Sequence, residues 1–166
     1  MTQHRNGPPP IPVRVAECVA ASTGATLATL GLGSCVAIVL YDAVARVGGI
    51  AHVLLPDESM SRDRKPGKFP STAVPLLLEE MVRLGAVQAR VRARLIGGAS
   101  MFTGLLPTSG FNMGERNVIA TRDALRIAGV PIDAEDVGSD YGRSVYLRLA
   151  DGSVEVRSIR RGTRVL

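Results

Sequence analysis

The sequence has no tryptophan, few aromatic residues of any kind, and only two cysteines and two histidines. Two cysteines are too few for the disulfide framework of a small secreted domain, so we expect both to be free thiols in a reducing compartment. With 4% aromatic residues, the core has to be built from valine, leucine, isoleucine and alanine. The cysteines and histidines also lack the paired spacing of zinc ligands, and we expect no metal site.

The chain also lacks an apolar run long enough to cross a bilayer, and its first residues lack the apolar segment of a signal peptide. We therefore expect a cytoplasmic protein that does not insert into membranes. Its 166 residues, 46% of them hydrophobic, are expected to form one domain with a sizeable core.

The net charge of +5 raises the question of nucleic-acid binding. The basic residues are scattered, except for a cluster at residues 62–65 and a tail at 157–164, and aromatic residues do not interleave with them. No nucleic-acid-binding motif is present, so we expect no nucleic-acid partner. An acidic protein partner fits the charge equally well, and a solvated basic surface is the simplest interpretation of any single arginine.

The pattern of apolar residues predicts more strands than helices. Residues 1–10 are polar and proline-rich and are predicted to be a disordered leader, residues 11–160 to form the domain, and residues 161–166 to be a loose tail. Alternating or short apolar runs predict strands at 11–20, 25–30, 36–41, 47–55, 90–96, 132–137, 144–149 and 154–160. Helical spacing predicts helices at 71–86 and, starting from a capping Asn112 with Glu115 three residues later, at 112–128.

This gives about eight strands and two helices. The strands mostly follow one another directly, which argues against a doubly wound βαβ sheet. The predicted fold class is α/β in the broad sense, of the α+β type. We expect mixed, mostly antiparallel β-sheets that pack as a sandwich with the helices outside.

The most informative stretch runs from Thr29 to Cys35, where two glycines and a serine separate two strand-like runs. We expect such a turn to present Cys35 at its tip rather than to pack it. The N–H groups of Gly33 and Ser34 are then candidates for stabilising a developing oxyanion. The next strand-like run contains His52, a candidate base for a cysteine nucleophile, and Thr29 is a candidate for orienting the imidazole.

Other interpretations of these residues stay open. Gly31 and Gly33 begin like a dinucleotide-binding fingerprint, but the third glycine position is Val36 and a strand follows, so we expect no such cofactor. A cysteine and a histidine can also be two unrelated core residues. Cys18, inside a predicted strand, is expected to be a small buried hydrophobic residue.

The run Thr29-Leu-Gly-Leu-Gly-Ser-Cys35, followed by His52 in Gly-Gly-Ile-Ala-His-Val-Leu-Leu-Pro56, resembles the CheD family of chemoreceptor glutamine deamidases. Further segments match in the same order, over roughly residues 13–157: Pro66-Gly-Lys-Phe69, Ala73-Val-Pro-Leu-Leu-Leu-Glu-Glu-Met81, Ile96-Gly-Gly-Ala-Ser-Met-Phe102, Gly114-Glu-Arg-Asn-Val118 and Ala134-Glu-Asp-Val-Gly138. The resemblance implies catalytic roles for Thr29, Cys35 and His52. It also implies a fold similar to the catalytic domain of cytotoxic necrotizing factor toxins.

By the same resemblance, the reaction converts a receptor glutamine to glutamate through a thioester on Cys35 and releases ammonia, which His52 protonates as it leaves. The implied partners are methyl-accepting chemotaxis receptors and CheC, a phosphatase that family members bind. The alternative is a non-catalytic regulatory binder of receptors or of CheC that keeps the fold. All three catalytic positions are filled in this sequence, which favours the enzyme.

Overall fold

The computed structural model describes residues 7–101 and 112–166. The predicted loop at 103–110 and the first six residues of the predicted leader lie outside the described residues. The strands are β1 (Ile11–Pro12), β2 (Cys18–Ala21), β3 (Thr26–Leu32), β4 (Val36–Asp42), β5 (Val47–Val53), β6 (Arg92–Gly97), β7 (Ile132–Val137), β8 (Arg143–Arg148), β9 (Val154–Ser158) and β10 (Gly162–Val165). The α-helices are α1 (Pro70–Arg83) and α2 (Met113–Ala128), and short 3-10 helices span Glu58–Met60, Pro66–Lys68 and Gln88–Arg90.

The strands form two five-stranded sheets. The first sheet has the order β1-β3-β8-β9-β10, and the second has the order β2-β5-β4-β6-β7. The β1–β3 and β6–β7 pairs are parallel, and the other strand pairs are antiparallel. Helix α2 supplies the long connection that the parallel β6–β7 pair requires. The prediction of mixed, mostly antiparallel sheets is confirmed.

The second sheet lies between the first sheet and the two helices. Alternate residues of β4 show this division: Ile38 and Leu40 pack in the cluster that contains the helices, whereas Ala37 and Val39 pack in the cluster between the sheets. Strand β4 is consequently buried along its whole length and has a continuous apolar sequence. The sheets thus pack as a sandwich with both helices on one outer face, as the predicted fold class requires.

Both helices lie where the sequence predicts them. The side chain of Asn112 caps α2 by accepting a hydrogen bond from the Glu115 N–H at 3.0 Å. The helix ends at Gly129, whose left-handed conformation (φ 71°) terminates it. Among the described residues, no helix combines the length and the apolar character that crossing a bilayer requires.

The predicted first strand at 11–20 is instead two short strands in different sheets. Strand β1 pairs with β3 in the first sheet, and β2 pairs with β5 in the second. Between them, Ala16 has a positive φ of 64°, a conformation that interrupts an extended strand. Residues 13–17 therefore carry the chain from one sheet to the other, and they form main-chain hydrogen bonds with His52.

The predicted loose tail is wrong as well. Strand β10 pairs with β9 at the edge of the first sheet, and the Leu166 N–H donates to the Val154 carbonyl at 2.8 Å. All four residues of β10 are exposed, so no apolar alternation marks the strand and main-chain hydrogen bonds hold it. At the other end, the described part of the predicted leader, residues 7–10, is exposed and belongs to no helix or strand.

A buried carboxylate holds the end of β4. Asp42 is 0% exposed, and its oxygens accept hydrogen bonds from three main-chain N–H groups and from the Arg90 guanidinium. Burial alone would raise the pKa of Asp42, but these hydrogen bonds, led by the one from Arg90, lower the pKa to about 2. Asp42 therefore remains charged and fixes the turn after β4 to the loop before β6.

Candidate active site

Cys35 lies at the corner where the chain passes from the first sheet to the second. Strand β3 of the first sheet ends at Leu32, and the second sheet begins again at β4. Before this corner, the register of β3 against β8 shifts between Thr29 and Leu32, with Gly31 at a φ of 69°. This bulge leaves Leu30 61% exposed and returns Leu32 to the core. The chain therefore turns at Cys35 because β3 and β4 belong to different sheets.

A second turn, at residues 97–99, supports the corner. The Ala99 N–H donates to the Gly33 carbonyl at 2.8 Å, and the Gly98 N–H donates to the Cys35 carbonyl at 2.7 Å. Gly97 has a φ of 114°, and a Cβ atom there would collide with the Cys35 carbonyl. Glycine is therefore needed at position 97 for both its conformation and its lack of a side chain.

The thiol of Cys35 is packed, so the expectation that the turn would present it is wrong. The residue is 9% exposed and belongs to the apolar cluster between the sheets, because the chain turns inward from one sheet to the other. Burial raises the pKa of the Cys35 thiol, and a hydrogen bond from its own backbone N–H offsets this only in part. The thiol is therefore uncharged at neutral pH.

His52 lies on the neighbouring strand β5 and faces the same interior. It pairs with Ala37 of β4, two residues after Cys35, which makes Cys35 and His52 diagonal neighbours on one face of the sheet. His52 is 1% exposed, and burial lowers its pKa to about 4 because the imidazolium is poorly solvated there. Its backbone is held by the crossing segment, with the Ala16 N–H donating to its carbonyl and its N–H donating to the Glu17 carbonyl.

Thr29 reaches His52 from the opposite sheet. Its Oγ1 lies 2.7 Å from His52 Nδ1 and 2.7 Å from the carbonyl oxygen of Val13. A hydroxyl has one proton, and a carbonyl can only accept, so Thr29 donates to Val13. Oγ1 must then accept from Nδ1–H, which leaves the lone pair of the imidazole on Nε2. Nε2 has no hydrogen-bond partner among the described residues, so it is available as a base.

The structure thus brings the three predicted residues into one region between the sheets. Thr29 and His52 are in direct contact, and Cys35 shares their face. Within the described part of the chain, no hydrogen bond joins the Cys35 thiol to Nε2. Such bonds are commonly long in free enzymes and shorten when substrate binds. A neutral thiol next to a neutral base with a fixed tautomer can transfer its proton as it attacks an electrophile.

The predicted oxyanion donors lie at the corner itself. The Gly33 carbonyl points at Ala99, and the N–H of Ser34 belongs to the same planar peptide, so it points the opposite way. No carbonyl in residues 7–101 or 112–166 accepts a hydrogen bond from the Ser34 N–H. This N–H group is therefore free to bind a developing negative charge.

Asn117 was missed by the sequence reasoning. It lies on α2 with 0% exposure, and its Nδ2 donates to the Ser34 carbonyl at 2.8 Å and to the Leu54 carbonyl at 3.1 Å. Asparagine is unfavourable inside a helix, but this weak signal does not identify the carbonyls that the side chain binds. One side chain therefore joins the Cys35 corner to the strand that carries His52.

Cys18 lies outside this site. Cys18 packs against the helix-side cluster but is half-buried rather than buried, and its sulfur lies 3.9 Å from the Ala73 carbonyl. Burial, with a smaller contribution from Glu80, raises the pKa of Cys18 to about 11. Within residues 7–101 and 112–166, no group of three or more histidine, cysteine or acidic side chains is arranged to hold a metal ion.

A cysteine that shares a buried face with a neutral histidine, itself held by a hydroxyl, is the arrangement expected of a cysteine-dependent hydrolase. The family model of CheD, described as "CheD chemotactic sensory transduction", matches residues 54–158. This is more than half of the chain, and the chain belongs to the CheD family. The resemblance inferred from the sequence motifs is confirmed.

Curated relatives match nearly the whole chain. "Probable chemoreceptor glutamine deamidase CheD" of Caldanaerobacter subterraneus subsp. tengcongensis is 41% identical over 93% of this chain and 96% of its own. The protein of the same name from Desulforamulus reducens is 41% identical over 94% and 95%. "Probable chemoreceptor glutamine deamidase CheD 2" of Geobacter metallireducens is 42% identical over 94% and 98%. These matches include the stretch from Thr29 to His52, which precedes the part that the family model matches.

A solved structure, "Crystal structure of Bacillus licheniformis hypothetical protein YfiH", matches with a TM-score of 0.45 and 17% identity. The match covers 72% of this chain and 50% of that one, so this chain spans half of that protein. A likeness at this level carries no argument about function.

Proposed function

We propose that this protein is a protein-glutamine deamidase, a hydrolase that converts specific glutamines of methyl-accepting chemotaxis receptors to glutamate. The observation that carries the proposal is the buried Thr29–His52 hydrogen bond, which leaves an unprotonated Nε2 on the face that also carries Cys35. The names of relatives at 41–42% identity over nearly their whole length support the substrate class.

In the proposed mechanism, attack starts from a neutral thiol and a neutral imidazole, because burial disfavours both charged forms. His52 Nε2 takes the thiol proton as Cys35 Sγ bonds to the carbon of the glutamine side-chain amide. The tetrahedral oxyanion is bound by N–H groups of the corner, at Gly33, Ser34 and Cys35. The imidazolium then protonates the amide nitrogen, the carbon–nitrogen bond breaks, and ammonia leaves.

The second half of the reaction uses the same groups in reverse. Water gives a proton to Nε2 and attacks the thioester carbonyl, and a second oxyanion forms at the corner. The carbon–sulfur bond then breaks, the thiolate recovers its proton from the imidazolium, and glutamate is released. Thr29 does not touch the amide in this mechanism and acts by holding the ring and its tautomer.

The proposal extends to location and partners. We propose that the protein acts in the cytoplasm, where the two free cysteines stay reduced. Besides the receptors, the CheC phosphatase is a proposed partner, on the basis of the family resemblance. A receptor binder without catalysis is the alternative, but binding alone gives no reason to bury a base with a fixed tautomer between two sheets.

Mass spectrometry of a co-expressed receptor tests the proposal. The wild-type protein is expected to convert receptor glutamines to glutamates, and Cys35→Ser is expected to abolish conversion because a hydroxyl ionises far less readily than a thiol. Cys18→Ser is the matched control and should retain conversion. Undiminished conversion by Cys35→Ser would disprove the assignment, and receptor binding by the wild type without any conversion would establish the binder instead.

A further inference from the structure

Asn117 connects the two halves of the candidate site through a single side-chain amide. We infer that Asn117 is a positioning residue that builds the oxyanion-binding site by fixing the peptide plane between Ser34 and Cys35. The inference rests on the proposed function, since it concerns a group that acts in the same reaction.

The orientation of the Asn117 amide follows from its partners. Nδ2 lies 2.8 Å from the Ser34 carbonyl oxygen and 3.1 Å from the Leu54 carbonyl oxygen. Both partners can only accept, so the NH2 group must face them, and it uses both of its protons in doing so. No alternative assignment of the amide satisfies the two carbonyls.

The bond to Ser34 determines where the Cys35 N–H points. In a planar trans peptide, the C=O and N–H groups point in opposite directions. Because Asn117 holds the Ser34 carbonyl towards α2, the Cys35 N–H points away from α2. Ala99 holds the Gly33 carbonyl in the same manner, and the Ser34 N–H points away from Ala99. Two successive N–H groups are thus turned away from the groups that anchor their peptides.

The Cys35 N–H is also close to the attacking atom, since the N–H and the Sγ atom belong to the same residue. Among the described residues, no main-chain carbonyl competes for this N–H. When the sulfur attacks, the oxygen of the tetrahedral intermediate forms close to it, within reach of an N–H donor beside the nucleophile. The Ser34–Cys35 peptide therefore has to keep this plane for the oxyanion to be bound.

Asn117 is itself held firmly. Three residues earlier on α2, a Cβ atom at Gly114 would collide with the carbonyls of Gly98 and Ala99, so the helix presses directly on the turn that supports the corner. The Oδ1 atom of Asn117 is buried and has no partner among the described residues. The two Nδ2 hydrogen bonds thus keep the amide in this orientation although its buried oxygen stays unpaired, which lowers stability.

The second bond, to Leu54, reaches the strand that carries the base. Leu54 follows His52 by two residues, just beyond the end of β5. The same amide therefore also limits how far the corner and the base can move apart. A loss of this amide is expected to loosen the oxyanion site first, because the Ser34 peptide lies in a turn, whereas His52 lies inside a paired strand.

Asn117→Ala and Asn117→Asp test the inference, with Thr121→Val as the control. Both Asn117 variants remove the NH2 donors, and the aspartate variant keeps the volume if the alanine variant fails to fold. Thr121 lies one turn further along α2, is also 0% exposed, and has a hydroxyl with no partner among the described residues. Its replacement by valine should leave activity unchanged, because it removes no bond to the corner.

Two rates are measured on each variant: receptor deamidation, and alkylation of Cys35 by iodoacetamide. Alkylation uses the thiol but forms no oxyanion. Displacement of an oxyanion donor is expected to lower kcat by up to the ~10²–10³-fold that removal of such a donor costs, with KM nearly unchanged, whereas the alkylation rate should change little. An equal fall of both rates, or an undiminished kcat in both Asn117 variants, would overturn the inference.

A third measurement separates this inference from the proposed function. The probe is a peptide in which an aldehyde replaces the side-chain amide of a glutamine. The aldehyde adds reversibly to a thiol, and the oxygen of the resulting hemithioacetal occupies the oxyanion position. Its affinity should fall in both Asn117 variants and not in Thr121→Val. If the wild type does not deamidate receptors but its aldehyde affinity depends on Asn117, the proposed function fails and the inference stands. If the wild type deamidates and the Asn117 variants bind the aldehyde as tightly, the inference alone fails.

Discussion

Replacing Thr29 with valine removes two buried hydrogen bonds while it leaves the shape of the side chain almost unchanged. The hydroxyl accepts from His52 Nδ1 at 2.7 Å and donates to the Val13 carbonyl at 2.7 Å, and Thr29 is 1% exposed. Thr29→Val therefore leaves one buried donor and one buried acceptor without partners. Thr29→Ser is the matched control, because it keeps the hydroxyl and loses only a methyl group.

The size of the effect follows from these two groups. An unpaired buried polar group costs about 1–3 kcal/mol, so with two such groups we expect Thr29→Val to lower the free energy of unfolding by roughly 2–6 kcal/mol. The lost methyl group of Thr29→Ser should cost about 1 kcal/mol. Without the hydroxyl, the ring is no longer held in the tautomer with a free Nε2. Loss of this alignment is expected to lower kcat by ~10²-fold. Loss of a carboxylate that orients the histidine would lower kcat further, because a carboxylate carries a charge and the Thr29 hydroxyl does not.

Urea unfolding and receptor deamidation, measured on the same preparations, check this prediction. We expect a clear order in kcat, with the wild type and Thr29→Ser well above Thr29→Val. A wild-type kcat in Thr29→Val would refute the tautomer argument. So would an equal loss in Thr29→Ser, because that result would assign the effect to packing rather than to the hydroxyl.

Three further predictions concern pH, a buried carboxylate and the N-terminus. Because burial lowers the pKa of His52 to about 4, kcat/KM should stay flat from pH 7 to about 5 and fall towards pH 4, as imidazolium cannot accept the thiol proton; a fall centred near 6.5 would contradict this. The folded fraction must be followed by circular dichroism, because the same lowered pKa reduces stability as pH falls from about 6.5 to about 4. Asp42→Asn should lower stability at pH 7 by about 2 kcal/mol, measured in urea. The stability that charged Asp42 contributes is present above the unfolded-state pKa near 3.8 and is lost as pH falls through about 2. The stability difference between Asp42→Asn and the wild type should therefore shrink over this pH range. Equal stability of the two proteins at pH 7 would refute the prediction. Deleting residues 1–10 should leave the melting temperature and kcat nearly unchanged. Deleting residues 1–13 should abolish activity, because it also removes the Val13 carbonyl. A large fall in the melting temperature of the shorter deletion would show that the leader packs on the fold.

Local signals predicted the elements that depend on local physics. Strand β4 is a continuous apolar run because it is buried on both faces. Helix α2 begins where Asn112 and Glu115 indicate a cap. These signals survive because burial and capping act within a few residues of sequence.

Elements that depend on distant partners were missed. A hairpin turn and a corner between two sheets have the same local sequence, so nothing near Cys35 indicated that the thiol would be buried. Ala16 breaks the predicted first strand by its conformation, which an alanine does not signal. Strand β10 is held by main-chain bonds to β9, and its exposed side chains carry no pattern.

The candidate site divides in the same way. Cys35, His52 and Thr29 were recognisable from residue type, spacing and family resemblance, since their side-chain chemistry is distinctive. Asn117 was not, because a single asparagine on a helix is ordinary until the carbonyls that it binds are known. Val13 takes part through its backbone, and its side chain says nothing about this contact.

The role of Val13 has a consequence for how this site would respond to mutagenesis. The proton of Thr29 is received by a main-chain atom, and every amino acid carries that atom. A saturation scan of position 13 would therefore report the packing of a side chain that is 3% exposed, and it would leave the acceptor in place. Replacing the amide by an ester on the following residue, which weakens the carbonyl as an acceptor, or redirecting the chain at Ala16, reaches the contact. The acceptor of the Thr29 proton is thus fixed by the path of the chain, and a side-chain substitution can alter it only by changing that path.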